Sequence, residues 1–351
     1  MHAQESDLIS GDKQYFYDRV ASVRKKLEGL PAGSFIKKYF PLSRLDEIKK
    51  KIDCAVKESD LQYWQPLFTV LSLESRNSLN ALDDDLSAIV KHRHNTEPEE
   101  KICNFLRDLS DYAGDRSWWA GVFEVYVKAT LIGCENFSVE ALDWLLPNGR
   151  DMDVRVSTGT RKFGLECTSL GESDANKAVW REHHASSLRG QALVQRSDPY
   201  SPGRRLYQKL YSEKLARDFD LSQSQFSQDS PNLLLIEMSS SEPNLSPERP
   251  FIGWALDELF SKQPTENTSP VSLKNYLLRK LTKDGTSGSS VERLEYLLRA
   301  PSQISGILLF SGCELKHARI NINARECCRM SYDEMVLFEK ALSRKPAYVN
   351  S

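Results

Sequence analysis

Residues 149–170 read GRDMDVRVSTGTRKFGLECTSL. Met152, Val154 and Val156 alternate with polar residues, as do Phe163, Leu165 and Cys167, and Ser157-Thr158-Gly159-Thr160 separates the two runs. A period of two on each side of a Gly-containing turn predicts a β-hairpin. With the turn centred on Gly159–Thr160, Asp153 falls opposite Glu166 and Asp151 opposite Thr168. Directly opposed side chains on one face lie about 5 Å apart, and like charges there repel. A divalent cation with hard oxygen ligands between the two carboxylates is one resolution. Separate pairing of the acids with Arg155, Arg161 or Lys162 is the other, and a one-residue slip would send them to opposite faces.

Outward from the hairpin the pattern alternates between helix and strand. SWWAGVFEVYVKATLI (117–132) precedes it, an almost wholly apolar helix in which Glu124 is out of character. Its bland explanation is an i,i+4 pair with Lys128. RRLYQKLYSEKLARDF (204–219) follows as a helix, and PNLLLIEM (231–238) and ISGILLFSG (304–312) are apolar runs of the kind buried on both faces of a sheet. Helical patterns lie between them at FIGWALDELF and VERLEYLLRA, with Ser-, Pro- and Gly-rich connections. The segment from residue 12 to about 112 is helix after helix, punctuated by Pro31, Pro41 and Pro98, with Ser43 as an N-cap. The last 40 residues return to helix and a polar tail. The expectation is an α/β protein with a mixed central sheet flanked by helices. Its parts would be an all-α region over 1–115, an α/β domain over 116–315, and a C-terminal helix and tail over 316–351.

Composition narrows the class. The chain has 351 residues, 47 Lys and Arg against 49 Asp and Glu, and a formal net charge of −2, which excludes a polybasic protein held to nucleic acid by a global field. No apolar run reaches the length of about 20 residues that a membrane helix needs. The charged first 25 residues contain no secretory apolar segment. Seven scattered cysteines, an odd number, point to a reduced, cytoplasmic chain without a disulfide framework.

Charge is nevertheless concentrated locally. Residues 177–217 hold nine Lys and Arg against three acids. Wound at 100° per residue, Leu206, Tyr207, Leu210, Tyr211 and Leu215 define one helix face, with Lys214 near its middle and Lys209 turned away. A lysine at the centre of a sheet-packing face is anomalous, and its bland explanation is snorkelling, in which the stem covers apolar surface and the ammonium reaches water.

A helix carrying Glu124, then Asp153 entering a hairpin, then Glu166-Cys167-Thr168 ending the next strand resembles the PD-(D/E)XK nuclease superfamily. The resemblance covers about residues 117–312 and is silent on the helical N-terminal region. It implies a restriction-endonuclease-like core and a Mg²⁺- or Mn²⁺-dependent endonuclease acting on DNA. Asp153 and Glu166 would hold the metal, with Asp151 as rival or helper to Asp153, and Glu124 would ligate it directly or through water. Where the family has the lysine of Glu-x-Lys, this chain has Thr168, which carries no charge to offset a developing anion. Lys162, four residues from Glu166 and about 13 Å away at strand rise, is too distant to replace it. Some members of the superfamily carry that lysine on the following helix, and Lys214 fits such a relocation. Lys214 would then orient the attacking water, Thr168 would hydrogen-bond it, and Arg204, Arg205, Lys209 and Arg217 would contact phosphates. A homodimer is a further implication. The alternatives are a catalytically inactive nuclease-fold protein that binds nucleic acid, and an interaction or sensor protein acting through its helical N-terminal region.

Other constellations carry little. His183 and His184, adjacent on a helix, point about 100° apart. Cys327-Cys328 lacks a second Cys pair for zinc, and Cys167 reads as core filler. The chain has no phosphate-binding Gly-x-x-x-x-Gly-Lys, no dinucleotide fingerprint and no Gly-x-Ser-x-Gly elbow.

Overall fold

A computed structural model describes residues 2–56, 76–93, 98–107, 112–159, 161–170, 201–215, 221–238, 250–260, 297 and 299–344. The described residues fall into two compact units that divide between Ala129 and Thr130.

The first unit is helical: α1 (His2–Glu28), α2 (Phe35–Tyr39), α3 (Ser43–Cys54), α4 (Arg76–His92), α5 (Glu99–Cys103) and the larger part of α6 (Tyr112–Ile132). Apolar residues three and four apart supply its core, with Val20, Val23 and Leu27 of α1, Leu45, Ile48 and Ile52 of α3, and Leu79, Leu82, Leu86 and Ile89 of α4 all buried. Ser34 caps α2 through the Lys37 amide, 3.2 Å away, and donates its hydroxyl to Asp83 Oδ1 at 2.9 Å; with the Ile36 amide on the same oxygen at 3.1 Å, two bonds join a helix start to α4. Ser43 begins α3 rather than capping it; the cap position is Leu42 and makes no side-chain bond. The helix expected from Pro98 onward shortens to α5 and a 3₁₀ turn at Asn104–Leu106, because Phe105 and Leu106 turn inward to bury. Gly121 of α6 lets that turn approach: a Cβ there would lie 2.3 Å from Phe105 Cγ.

The second unit is built on a six-stranded mixed sheet in the order β1 (Ser138–Leu145), β2 (Asp151–Thr158), β3 (Arg161–Leu170), β4 (Asn232–Met238), β5 (Gly306–Ser311) and β6 (Glu314–Ile320). β3–β4 and β4–β5 are parallel and the other pairs antiparallel. Parallel neighbours need crossovers, and α7 (Ser201–Lys209) and α8 (Pro250–Phe260) lie in them. One sheet face carries Leu234, Ile236, Ile307 and Leu309 against Tyr207, Leu210, Ala255 and Leu259 of this helical layer. On the other face α9 (Tyr332–Leu342) brings Phe338 to Phe163, ring centroids 5.3 Å apart. All seven residues of β4 are buried, as its uninterrupted apolar run predicts.

Two strands lie outside the alternating pattern. β1 contains a bulge between Val139 and Ala141, which breaks its period at Glu140. β6 replaces part of the expected helix and tail: ELKHARI is polar on both faces because it is the sheet edge, and it pairs with β5 throughout.

Candidate metal centre

The two hairpins of the second unit set the site. The β1–β2 turn closes with the Leu146 amide on the Arg150 carbonyl at 2.7 Å, and Gly149 takes the positive φ of 79° that the turn requires. Outward from it come Trp144 opposite Met152 and Leu142 opposite Val154. The residues between those pairs are Asp143 and Asp153, whose carboxylates each offer an oxygen within 4.8 Å of the other. Asp143 has φ 51°, in the left-handed region that aspartate tolerates better than most residues.

On its other side β2 meets β3 in the register predicted about Gly159–Thr160: Thr158 with Arg161, Val156 with Phe163, Val154 with Leu165. The described pairing stops one step short of Asp153 and Glu166. Asp153 Oδ2 instead accepts the Cys167 amide at 2.6 Å, a charge-assisted bond that puts a side chain where the ladder would continue. Asp153 therefore lies between two strands, its carboxylate within 4.8 Å of that of Asp143 on one side and bonded to the β3 backbone on the other.

Glu166 is buried, its side chain 2% exposed, and forms an ion pair with Lys214 Nζ. Lys214 lies beyond α7 in a π-helical turn, Leu210–Leu215. Such turns re-aim the side chains that follow them. The turn is pinned by the Tyr211 hydroxyl on the Leu297 carbonyl at 2.7 Å and by the Gln225 amide on the Lys214 carbonyl at 2.8 Å. Lys209 does not turn away, as 100° winding suggested; its ammonium reaches the Ser169 carbonyl at 2.8 Å. Both lysines thus serve the same strand, one through its backbone and one through its acid.

The other expected residues are placed as follows. Thr168 is buried two positions beyond Glu166, on the same face of β3. Asp151 is exposed at the start of β2, opposite Leu145. Arg205 is half-buried on α7. The Arg204 side chain, Arg217, His183 and His184 lie outside the described residues. Glu124 belongs to the first unit, where its carboxylate meets Lys128 Nζ at 2.5 Å, one turn along α6; the lysine is the buried member, 6% exposed against 39%. All seven cysteines are free thiols. Among the described residues no helix is long and apolar enough to cross a membrane.

Asp143 is the acid that sequence reasoning missed. Its signal lay in the turn Pro147-Asn148-Gly149: pairing outward from Asn148 sets residue 143 against residue 153, through the same like-charge argument first applied to Asp153 and Glu166.

No model of a known protein family, no curated protein and no solved structure matches the chain.

Proposed function

We propose that the second unit is a restriction-endonuclease-like domain of the PD-(D/E)XK type, and that the chain is a metal-dependent endonuclease hydrolysing phosphodiester bonds in DNA. The observation that carries this reading is the position of Asp153, between the opposed carboxylate of Asp143 and the strand segment that holds Glu166 and its lysine. The donor set fits a hard divalent cation, since two half-buried carboxylates on neighbouring strands bring oxygens within 4.8 Å of each other, and oxygens are the ligands such an ion takes. Asp143 and Asp153 would hold Mg²⁺ or Mn²⁺ through their carboxylate oxygens. The bound ion would supply Lewis acidity and a lowered water pKa.

The chain's own residues do the rest. Glu166 holds the Lys214 ammonium against β3, and Lys214 would orient the attacking water and offset charge developing on the phosphate. Thr168, on the same face, donates a hydroxyl hydrogen bond to that water. Arg204, Arg205 and Arg217 would meet the flanking phosphates, whereas the Lys209 ammonium is engaged by the strand end.

Incubation of the purified protein with supercoiled DNA and Mg²⁺ or Mn²⁺ tests the proposal. Nicking or linearisation that disappears with EDTA and in Asp153→Asn supports it; full cleavage by Asp153→Asn removes the site. The uncharged Thr168 favours a second reading, a nuclease-fold protein that binds DNA without cutting it. Salt-dependent DNA binding with no cleavage under either metal would establish that one.

A further inference from the structure

A cavity of about 720 Å³ opens beside the acid pair, walled by the same strands β1 and β2. Its polar lining is arranged for a particular chemistry. The Arg155 guanidinium sits 4.1 Å over the Trp144 ring, a stacked cation and indole on one wall. Arg161 and Lys162 add two further cations, against Asp229 as the acid of the lining. Leu146, Phe226 and Pro231 provide apolar surface.

The cations are held from behind by acids outside the lining. Glu140, the residue in the β1 bulge, is 3.3 Å from Arg155 Nε and 3.1 Å from Lys162 Nζ. Glu334 accepts two bonds from Arg161 Nη1, at 2.7 and 2.9 Å, and Arg161 Nη2 donates to the Arg329 carbonyl. Such backing fixes direction and leaves other donors to face the cavity, because a guanidinium has five N–H groups. The Glu140 contact of Arg155 is an ion pair without a hydrogen bond, and Arg155 Nε is buried with no hydrogen-bond partner among the described residues.

A ligand that satisfies this wall is flat, aromatic and anionic at once. Bases stack on arginine planes and indoles, and phosphate takes lysine and arginine. From this geometry we infer that the cavity binds one nucleotide, its base on the Trp144–Arg155 stack and its phosphate at Arg161 and Lys162. As a subsite for a strand being cut, the inference rests on the nuclease reading; as a site for a free nucleotide it stands apart. The volume is within the ordinary range for such ligands.

Cys327 lines the same cavity and its free thiol is exposed, which makes the wild-type protein its own reporter. Alkylation by iodoacetamide, followed by peptide mass spectrometry, would be timed with dAMP, with a single-stranded 12-mer deoxyoligonucleotide, and with neither. The expected result is protection of Cys327 by at least about fivefold at saturation, while exposed Cys54 of the first unit keeps its rate. Protection by dAMP identifies a free-nucleotide site, and protection by the 12-mer alone identifies a strand subsite; either supports the cavity. Trp144→Ala and Arg155→Gln should weaken the protecting probe about tenfold, and Trp144→Phe should retain it. Unchanged Cys327 alkylation with both probes overturns the inference, including the case where anisotropy shows the 12-mer bound elsewhere. DNA cleavage with Cys327 unprotected would sink the subsite and leave the metal centre standing; protection in a protein whose Asp153→Asn form cuts normally would do the reverse.

Discussion

Glu166 on β3 and Glu237 on β4 are both buried, 1% and 3% exposed, in neighbouring parallel strands, yet their carboxylates are met in different ways. Glu166 registers with Leu234, three residues before Glu237, so the two carboxylates leave opposite faces of the sheet. Glu237 turns to the adjacent β5–β6 hairpin, where the Gly312 and Cys313 amides donate to its two oxygens at 2.7 and 3.0 Å. Glu166 instead meets an ammonium brought in by a π turn 48 residues along the chain. A carboxylate answered by local backbone amides needs no lysine; it clamps a tight turn, and dipoles that the turn already supplies offset part of its cost of burial. A carboxylate answered by a distant lysine holds a largely buried positive charge against its strand, at a desolvation cost that both ions carry.

The largest expected effect separates the two. Glu166→Gln should lower metal-dependent cleavage at least about hundredfold, the scale of losing a group that organises charge at the reacting centre. Glu237→Gln should leave cleavage within about threefold once folded protein is compared. Initial rates on a nicked-circle assay would show this; equal losses in both variants would mean that the two glutamates are alike and that Glu166 is structural.

Stability supplies the next contrast. Lys214→Met keeps the stem and removes the charge, leaving Glu166 buried without its ammonium, and should cost about 4 kcal/mol. Urea midpoints at fixed slope would measure it, and a loss below about 1 kcal/mol would show Glu166 to be better solvated than its burial implies.

Much of this was readable beforehand, and the failures have physical causes. PNLLLIEM and GILLFS announce buried strands because both faces are covered, and Lys214 stood out because the apolar face around it is so complete. The β2–β3 register followed from one turn. Asp143 stayed hidden because the bulge at Glu140 and its own left-handed φ erase the alternation that would have marked a strand. β6 stayed hidden because an edge strand has no need of apolar residues. The direction of Lys209 was lost to a wheel angle, since a long side chain can reach around its helix to a strand-end carbonyl.

Glu237 yields a pH prediction of smaller size. Burial pushes its carboxyl up to about 7 from 4.5, against the downward pull of the Cys313 and Gly312 amides. A folded-state value above the unfolded one means that the folded protein binds the proton more tightly. The stabilisation is therefore complete below about pH 4.5 and is lost as pH rises through about 7, on the order of 3 kcal/mol. Subtracting the pH profile of Glu237→Gln from that of the wild type isolates this contribution. A difference that is flat from pH 4.5 to 7.5, or that rises with pH, would mean that the amides outweigh burial.

The smallest effect probes why Asp143 is there. Glu237 shows what a carboxylate does when the fold uses it, and its removal should cost stability at low pH. Asp143 faces Asp153 across a strand pair, and opposed like charges destabilise by a few tenths to about 1 kcal/mol. Asp143→Asn, similar in shape and equally tolerant of left-handed φ, should therefore raise metal-free stability by about 0.5 kcal/mol while impairing cleavage. Millimolar Mg²⁺ should stabilise the wild type more than the variant, because a ligand bound to the folded state adds stability by mass action and the variant has lost one donor. Thermal midpoints with and without Mg²⁺ give all four values. A variant less stable than the wild type without metal would place Asp143 beside Glu237 as a structural acid, and equal Mg²⁺ shifts would remove it from the metal centre.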